Sequence, residues 1–398
     1  MSYLSKLASF LILLSISCMG CATPGMILWE ADTQGAIPYD PAVGPDGSIY
    51  VPTVNNLLWA FNKSGQKLWA YPLLPGHVFT SEPAVSSKGS IAFVTRATDE
   101  ALKYPYYYLL TQTGQLKASG AVATYWGNQW TELHAGAPIF LTDDSFVLSV
   151  VGKQTTPASC LTWGSLYYHG GNLTPFFASL VCNGNPGAIS FENNRFSTRS
   201  DDSLMGFMDI MQQWGSPTTL GVTKWPTPGR WVVPASGILP TQLVGDAQNL
   251  TVGPGDSFYF TTNTGSLYAY EASLEPRWRV DNLSAIPLGN VPAVSSDGSI
   301  FVGGMNGYVV CFNTDSSIRW KALVSGQGIN HNITMDDNKK AVYVVDATGH
   351  LYALDVNDGH IRWSETHYTF TTSPILTSGG GSLYLGTSTG ELIAISTI

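Results

Sequence analysis

Tryptophan recurs in the C-terminal half of this chain at a nearly constant interval. Trp278, Trp320 and Trp363 stand 42 and 43 residues apart. The stretches that two of them close are alike, "VGPGDSFYFTTNTGSLYAYEASLEPRW" and "VSSDGSIFVGGMNGYVVCFNTDSSIRW". Near the N-terminus, "PAVGPDGSIYVPTVNNLLWAFNKSGQKLW" runs from Pro41 to Trp69, 40 residues after Trp29. A unit of this size cannot bury its apolar faces alone, so the copies must stack and share a core.

Each copy divides into four short strands. A segment of the "PAV" type leads to a pair such as Asp46-Gly47 or Asp297-Gly298, the chemistry of a tight hairpin. An alternating run follows, "SIYV" or "SIFVGG". The next turn ends in Gly265, Gly307, Gly349 or Gly390, where a left-handed backbone is expected. "SLYAY", "YVVCF", "HLYAL" and "ELIAI" supply the third strand, and the fourth carries the tryptophan.

Such units start at Pro41, Pro83, Pro138, Thr251, Pro292, Asn332 and Pro374, and a weaker one starts near Gly187. The count is eight, or seven without the weak copy. The last copy, "PILTSGGGSLYLGTSTGELIAISTI", stops after its third strand, and "MILWEAD" with Trp29 supplies the missing strand from the other end. That pairing predicts a ring without a free sheet edge between its first and last units. The expected fold is all-β, a closed eight-bladed β-propeller of four-stranded antiparallel blades, the last completed by the N-terminal strand. It spans residues 23–398, with divergent blades and long loops at 95–248.

The stretch "ALDVNDGHIRW", Ala353 to Trp363, has the form A-x-D-x-x-x-G-x-x-x-W. It resembles the tryptophan-docking motif of pyrroloquinoline-quinone (PQQ) repeat propellers, closely over residues 29–94 and 249–398 and weakly between them. The resemblance implies that Trp29, Trp69, Trp278, Trp320 and Trp363 pack between neighbouring blades. It also implies two functional branches. Quinone-dependent alcohol and sugar dehydrogenases hold PQQ with calcium, using a stacking tryptophan, a Glu/Asn/Asp calcium set, a catalytic Asp and often a ring of two adjacent cysteines. The other branch, which includes lipoproteins of bacterial outer-membrane assembly, is a non-catalytic interaction scaffold. No two cysteines are adjacent in this chain. The carboxylates of "TDDS" (Thr142 to Ser145) and "MDDN" (Met335 to Asn338) fall in hairpin turns, where they read as solvated turn residues. The expectation is therefore a binding scaffold with no catalytic, cofactor or metal residue assigned, and a PQQ-dependent oxidoreductase is the alternative.

Lys6 is the sole charge before the apolar run "LASFLILLSIS", and small residues follow it, which reads as a signal peptide over residues 1–22. In "SCMGC", Gly20 before Cys21 also fits a lipoprotein signal, with Cys21 as the lipid-carrying residue. The chain is thus expected to be exported: secreted, or periplasmic and membrane-anchored if Cys21 is lipidated. Its net charge of −9 excludes a nucleic-acid binder that would need a basic face.

Beyond the signal lie Cys160, Cys182 and Cys311. The first two are a candidate disulfide across one loop-rich segment, and Cys311 reads as a buried free thiol in a strand. Glycosylation sequons place candidates at Asn62, Asn172, Asn249 and Asn282, while Asn332 belongs to an inner strand and should stay bare. Departures from the repeat point to a ligand face. Thr95–Leu110 lengthens the second blade, and Thr124–His134 is read as an interblade segment holding Tyr125, Trp126 and Trp130. Thr155–Phe177 adds Trp163, Tyr167 and Tyr168. Large amphipathic rings stack on sugars or anchor a protein partner at little entropic cost. The expected partner is a protein or a glycan.

Overall fold

The computed structural model describes residues 22–99, 104–122, 130–154, 160–182, 196–198, 204–208, 219–223, 247–262, 264–273, 275–281, 283, 290–377 and 379–398. Among them the regular structure is β-strand, apart from a single 3-10 turn at Pro254–Asp256. The strands form eight separate antiparallel sheets, numbered here in chain order.

The first sheet sets the pattern. Its strands are Ala42–Val43, Ile49–Pro52, Leu57–Phe61 and Lys67–Pro72, paired in sequence order. The fifth (Ala247 to Val280), sixth (Ala293 to Leu323) and seventh (Thr334 to Glu365) repeat it. Inner strands are short because each starts after a connector and ends at a turn glycine: Gly47 and Gly298 both take φ +83. Gly265, Gly307, Gly349 and Gly390 are also left-handed, as the turn chemistry requires.

In the first, fifth, sixth and seventh sheets the second strand is buried throughout and the third is largely buried, and these strands make the core. Directly opposed aromatic rings stack between second and third strands: Phe93 on Tyr108 at 5.0 Å, Phe146 on Tyr168 at 4.7 Å and Phe260 on Tyr268 at 4.9 Å. Such cross-strand pairs contribute about 0.5–1 kcal/mol each beyond their burial. Inner strands of successive sheets lie side by side from the first sheet to the eighth.

The eighth sheet joins the two ends of the chain. Ile375–Leu376, Ser382–Gly386 and Glu391–Ser396 are followed, in space, by Ile27–Asp32. Trp29 opposes Ala394 and Asp32 opposes Glu391 in that last pairing. Gly25, at φ +84, donates its N–H to the Ser396 carbonyl at 2.8 Å, so it stands where a turn glycine stands in the other sheets.

The divergent middle departs from the expected layout in three places. The second-sheet strand Ile91–Ala97 outruns its two-residue inner partner Ala84–Val85, and the connector strand His77–Phe79 pairs the excess. In the third sheet, Trp130–Ala135 pairs the extension of Phe146–Gln154 in the same way. This half of the expected interblade loop is therefore a strand, because an overlong strand leaves backbone donors and acceptors that must find partners. The expected loop at 155–177 is likewise mostly a hairpin, Cys160–His169 against Asn172–Cys182. In the fourth sheet, Phe196–Thr198 lies beside Ile139–Phe140, and the segment near Gly187 expected to open this unit lies outside the described residues.

Candidate functional site

The repeat tryptophans form one kind of joint. Trp29 Nε1 donates to the Lys63 carbonyl at 3.0 Å, Trp69 to Gln112 at 3.1 Å, Trp278 to Thr314 at 2.8 Å and Trp320 to Val356 at 2.7 Å. Each acceptor lies in the turn before the outer strand of the next sheet. In three of these turns the indole face lies on a left-handed glycine. A Cβ on Gly65 would meet Trp29 at 2.7 Å, one on Gly114 would meet Trp69 at 2.8 Å, and one on Gly359 would meet Trp320 at 2.5 Å. Trp363 lies on Gly25 in the same manner, with 3.0 Å to such a Cβ. The D-x-x-x-G-x-x-x-W spacing thus encodes both halves of a joint: the glycine receives the preceding blade's tryptophan, and the tryptophan reaches the following one.

A second polar constellation gathers at the entry of the inner strands. The Ser373 N–H donates to Asp40 Oδ1 at 2.7 Å, the Asn332 N–H to Ser373 Oγ at 3.1 Å, and the Val291 N–H to Asn332 Oδ1 at 3.1 Å. These four residues occupy the same repeat position in the first, eighth, seventh and sixth sheets. Glu82 holds that position in the second. Burial lifts the Asp40 carboxyl above the usual carboxylate value, although the Ser373 hydrogen bonds and the His331 charge pull it down. Burial also raises Glu82, and the neighbouring Asp40 adds to the rise. His331 is held below the usual histidine value by burial, against the pull of Asp40 and Asp346. The sequence reading singled out none of the three. For Asp40 and Glu82 the signal was there in "YDPAV" and "SEPAV", where an acid precedes the proline that opens the inner strand.

The turn carboxylates do more than face solvent. Asp144 accepts from Ser90 Oγ at 2.7 Å and pairs with Lys117 at 3.3 Å, tying the third sheet to the second. Asp337 accepts from the Ser296 N–H, tying the seventh to the sixth. Asp336 is 1% exposed and accepts from the Asn338 and Lys339 N–H groups, which corrects its reading as solvated.

Of the rings expected in the ligand face, the structure describes the side chains of Tyr167 and Tyr168 alone. Tyr125 and Trp126 lie outside the described residues. Trp130 opposes Gln154 and Trp163 opposes Val151, both within the third sheet. Tyr167 is 4% exposed and stacks on His169, so its ring is taken up in packing rather than offered to a ligand. Among the glycosylation candidates, Asn172 is exposed at a hairpin end. Asn62 is half-buried, and its amide holds the Ser64 and Gln66 N–H groups. Asn249 is 4% exposed and directed at Thr261, which removes it as an acceptor site. Asn282 lies outside the described residues. Cys311 is buried, and burial pushes its thiol up to about 12.

All five repeat tryptophans are engaged in blade joints. One group among the described residues has metal-like proximity, Asp355, Asp358 and His360, and it lies at a turn before an outer strand. There Arg362 Nε donates to Asp355 at 3.0 Å, and His360 pairs with Asp358 at 2.6 Å. The sequence also contains a G-x-S-x-G string, Gly386 to Gly390, but it is a strand–turn–strand whose Thr387 bonds Glu391, with no following helix to build a nucleophile elbow.

Residues 263–398 match a family model described as outer membrane protein assembly factor BamB. No curated protein sequence matches the chain. Among solved structures, Sqt1 of Saccharomyces cerevisiae is similar at 10% identity and a TM-score of 0.61, covering 94% of this chain and 99% of that one. The C-terminal WD40 domain of Sif2 is similar at 10% identity and a TM-score of 0.60, covering 95% and 99%. At such identity the likeness is one of fold, the β-propeller. Among the described residues no helix is long and apolar enough to cross a membrane.

Proposed function

We propose that this chain, whose residues 263–398 carry the PQQ-like repeat, closes into an eight-bladed ring and serves as an exported, non-catalytic binding scaffold for a protein or glycan. The observation that carries this reading is the engagement of every repeat tryptophan in a joint between sheets.

The end of the sheets that bears the second turns and the interblade connectors supports a binding role. Leu73 donates its N–H to the Asn56 carbonyl and Val324 to Gly307, which brings each connector against a turn. Val54, Leu74, Met305 and Leu323 are exposed there by 37–55%. Apolar side chains of that size on a weakly charged surface suit contact with a partner. Tyr125, Trp126, Trp130 and Trp163 extend the proposal to the divergent sector, and a lipid tether at Cys21 is the form in which the scaffold would be held at a membrane.

Two measurements test the reading. Purified mature protein mixed with PQQ and calcium should show no saturable quinone binding and no dye-linked oxidation of alcohols or sugars; turnover with either substrate would overturn the scaffold reading. On protein and glycan arrays, a folded Trp126→Ala/Trp130→Ala variant should lose the parent's binding, and full retention would remove the divergent sector as the ligand face.

A further inference from the structure

The third sheet is held differently from the tryptophan-bearing sheets. Its outer two strands, Cys160–His169 and Asn172–Cys182, run to 10 and 11 residues, whereas the outer strands that carry tryptophan have 5 or 6. The hairpin turns at Gly170 and Gly171, both left-handed at φ +59 and +89. From Ser165 opposite Phe177 the register runs unbroken to the far end, where Cys160 and Cys182 are direct partners. The sequence of the outer strand, "NLTPFFASLVC", contains no tryptophan, so this long ribbon lacks the joint that anchors its counterparts.

We propose that Cys160 and Cys182 form a cross-strand disulfide that locks the open end of this hairpin. Residues directly opposed on antiparallel strands have Cα atoms about 4.5–5.5 Å apart, within the ~4.4–6.8 Å that a disulfide spans. The bond replaces, for this sheet, the tie that tryptophan gives elsewhere. Cys311 is no competitor: it lies in the sixth sheet, and burial keeps its thiol protonated and unreactive.

The chemistry balances with a disulfide oxidant such as oxidised glutathione. The two cysteine thiols release two protons and two electrons as the S–S bond forms, and the oxidant is reduced to two thiols. Closing the loop restricts the unfolded chain and holds the strand ends in register.

The test uses the full chain equilibrated with oxidised glutathione, denatured without reductant, alkylated, digested and mapped by mass spectrometry. The expected result is one linked peptide joining Cys160 to Cys182, with Cys311 alkylated. After reduction both partners should alkylate, and the melting temperature should fall by several degrees. A Cys160→Ser/Cys182→Ser variant should melt at that lower temperature and be indifferent to reductant. Alkylation of Cys160 and Cys182 without reduction, or linkage of either to another cysteine, would overturn the proposal. The peptide map needs no variant, so it decides even if the double substitution fails to fold. Because the oxidant is supplied in vitro, the outcome is independent of export and of the scaffold reading.

Discussion

Gly359 and Trp320 belong to different sheets, yet neither position tolerates change without the other. The glycine has φ +76, and a Cβ there would lie 2.5 Å from the indole. Gly359→Ala combines left-handed backbone strain with displacement of a packed ring, and should cost about 2–3 kcal/mol. Trp320→Ala removes the ring and its hydrogen bond to Val356, and should cost about 3–5 kcal/mol. Since both act on one joint, the double variant should cost much less than the sum; chemical denaturation of the three variants measures this, and additive losses would mean the contact is not shared. Glu82 offers a pH test. Its folded carboxyl is raised by burial and by Asp40, so it contributes stability that is present below the ordinary carboxylate value and is lost as pH climbs through the raised one. Glu82→Gln should therefore melt above the parent at neutral pH and converge with it as pH falls below about 4. His331, lowered by burial, acts in the opposite sense, its stability being lost as pH falls below the ordinary histidine value. A Glu82→Gln difference that is the same at every pH would contradict the assignment.

At the scale of elements, the repeat position matters more than the residue in it. In "CFNTDSSIRW" the turn that receives Trp278 has Ser316 where other copies have glycine, and Ser316 takes φ +71. Ser316→Gly should relieve that strain and stabilise the chain by about 0.5–1 kcal/mol, measured by the denaturation midpoint; a lower midpoint would mean that serine is preferred there. The four-stranded units could be read from sequence wherever tryptophan, turn glycine and alternating strand coincide, because those signals are local. Gly265, Gly307, Gly349 and Gly390 are cases in point. The added strands at His77–Phe79 and Trp130–Ala135 could not be read this way. They exist because Ile91–Ala97 and Phe146–Gln154 outrun their inner partners, and only the assembled sheet shows the unpaired length. Asn249 failed as a glycosylation site for a similar reason: a sequon reports local chemistry, while its burial beside Thr261 is tertiary. The acids at the inner-strand entries went unnoticed because Asp40 and Glu82 lie far from Ser373 and His331 in sequence.

For the whole molecule, the decisive contact is between the chain's two ends. Trp29 lies on Gly65 of the first sheet while its own strand completes the eighth. Trp363 lies on Gly25, so the last joint also depends on the N-terminal segment. Thr33 Oγ1 donates to the Gly390 carbonyl and Ser373 to Asp40, adding side-chain links across the same seam. A ring closed in this manner would present its turns and connectors as a fixed binding surface, which is what the proposed scaffold requires. Closure is tested most directly at Asp32 and Glu391, direct partners at the edge of the eighth sheet. In an Asp32→Cys/Glu391→Cys variant, mild oxidation should give a monomer carrying a linked peptide between positions 32 and 391, with the melting temperature raised. Linkage only between molecules, or none, would show that the ring is open.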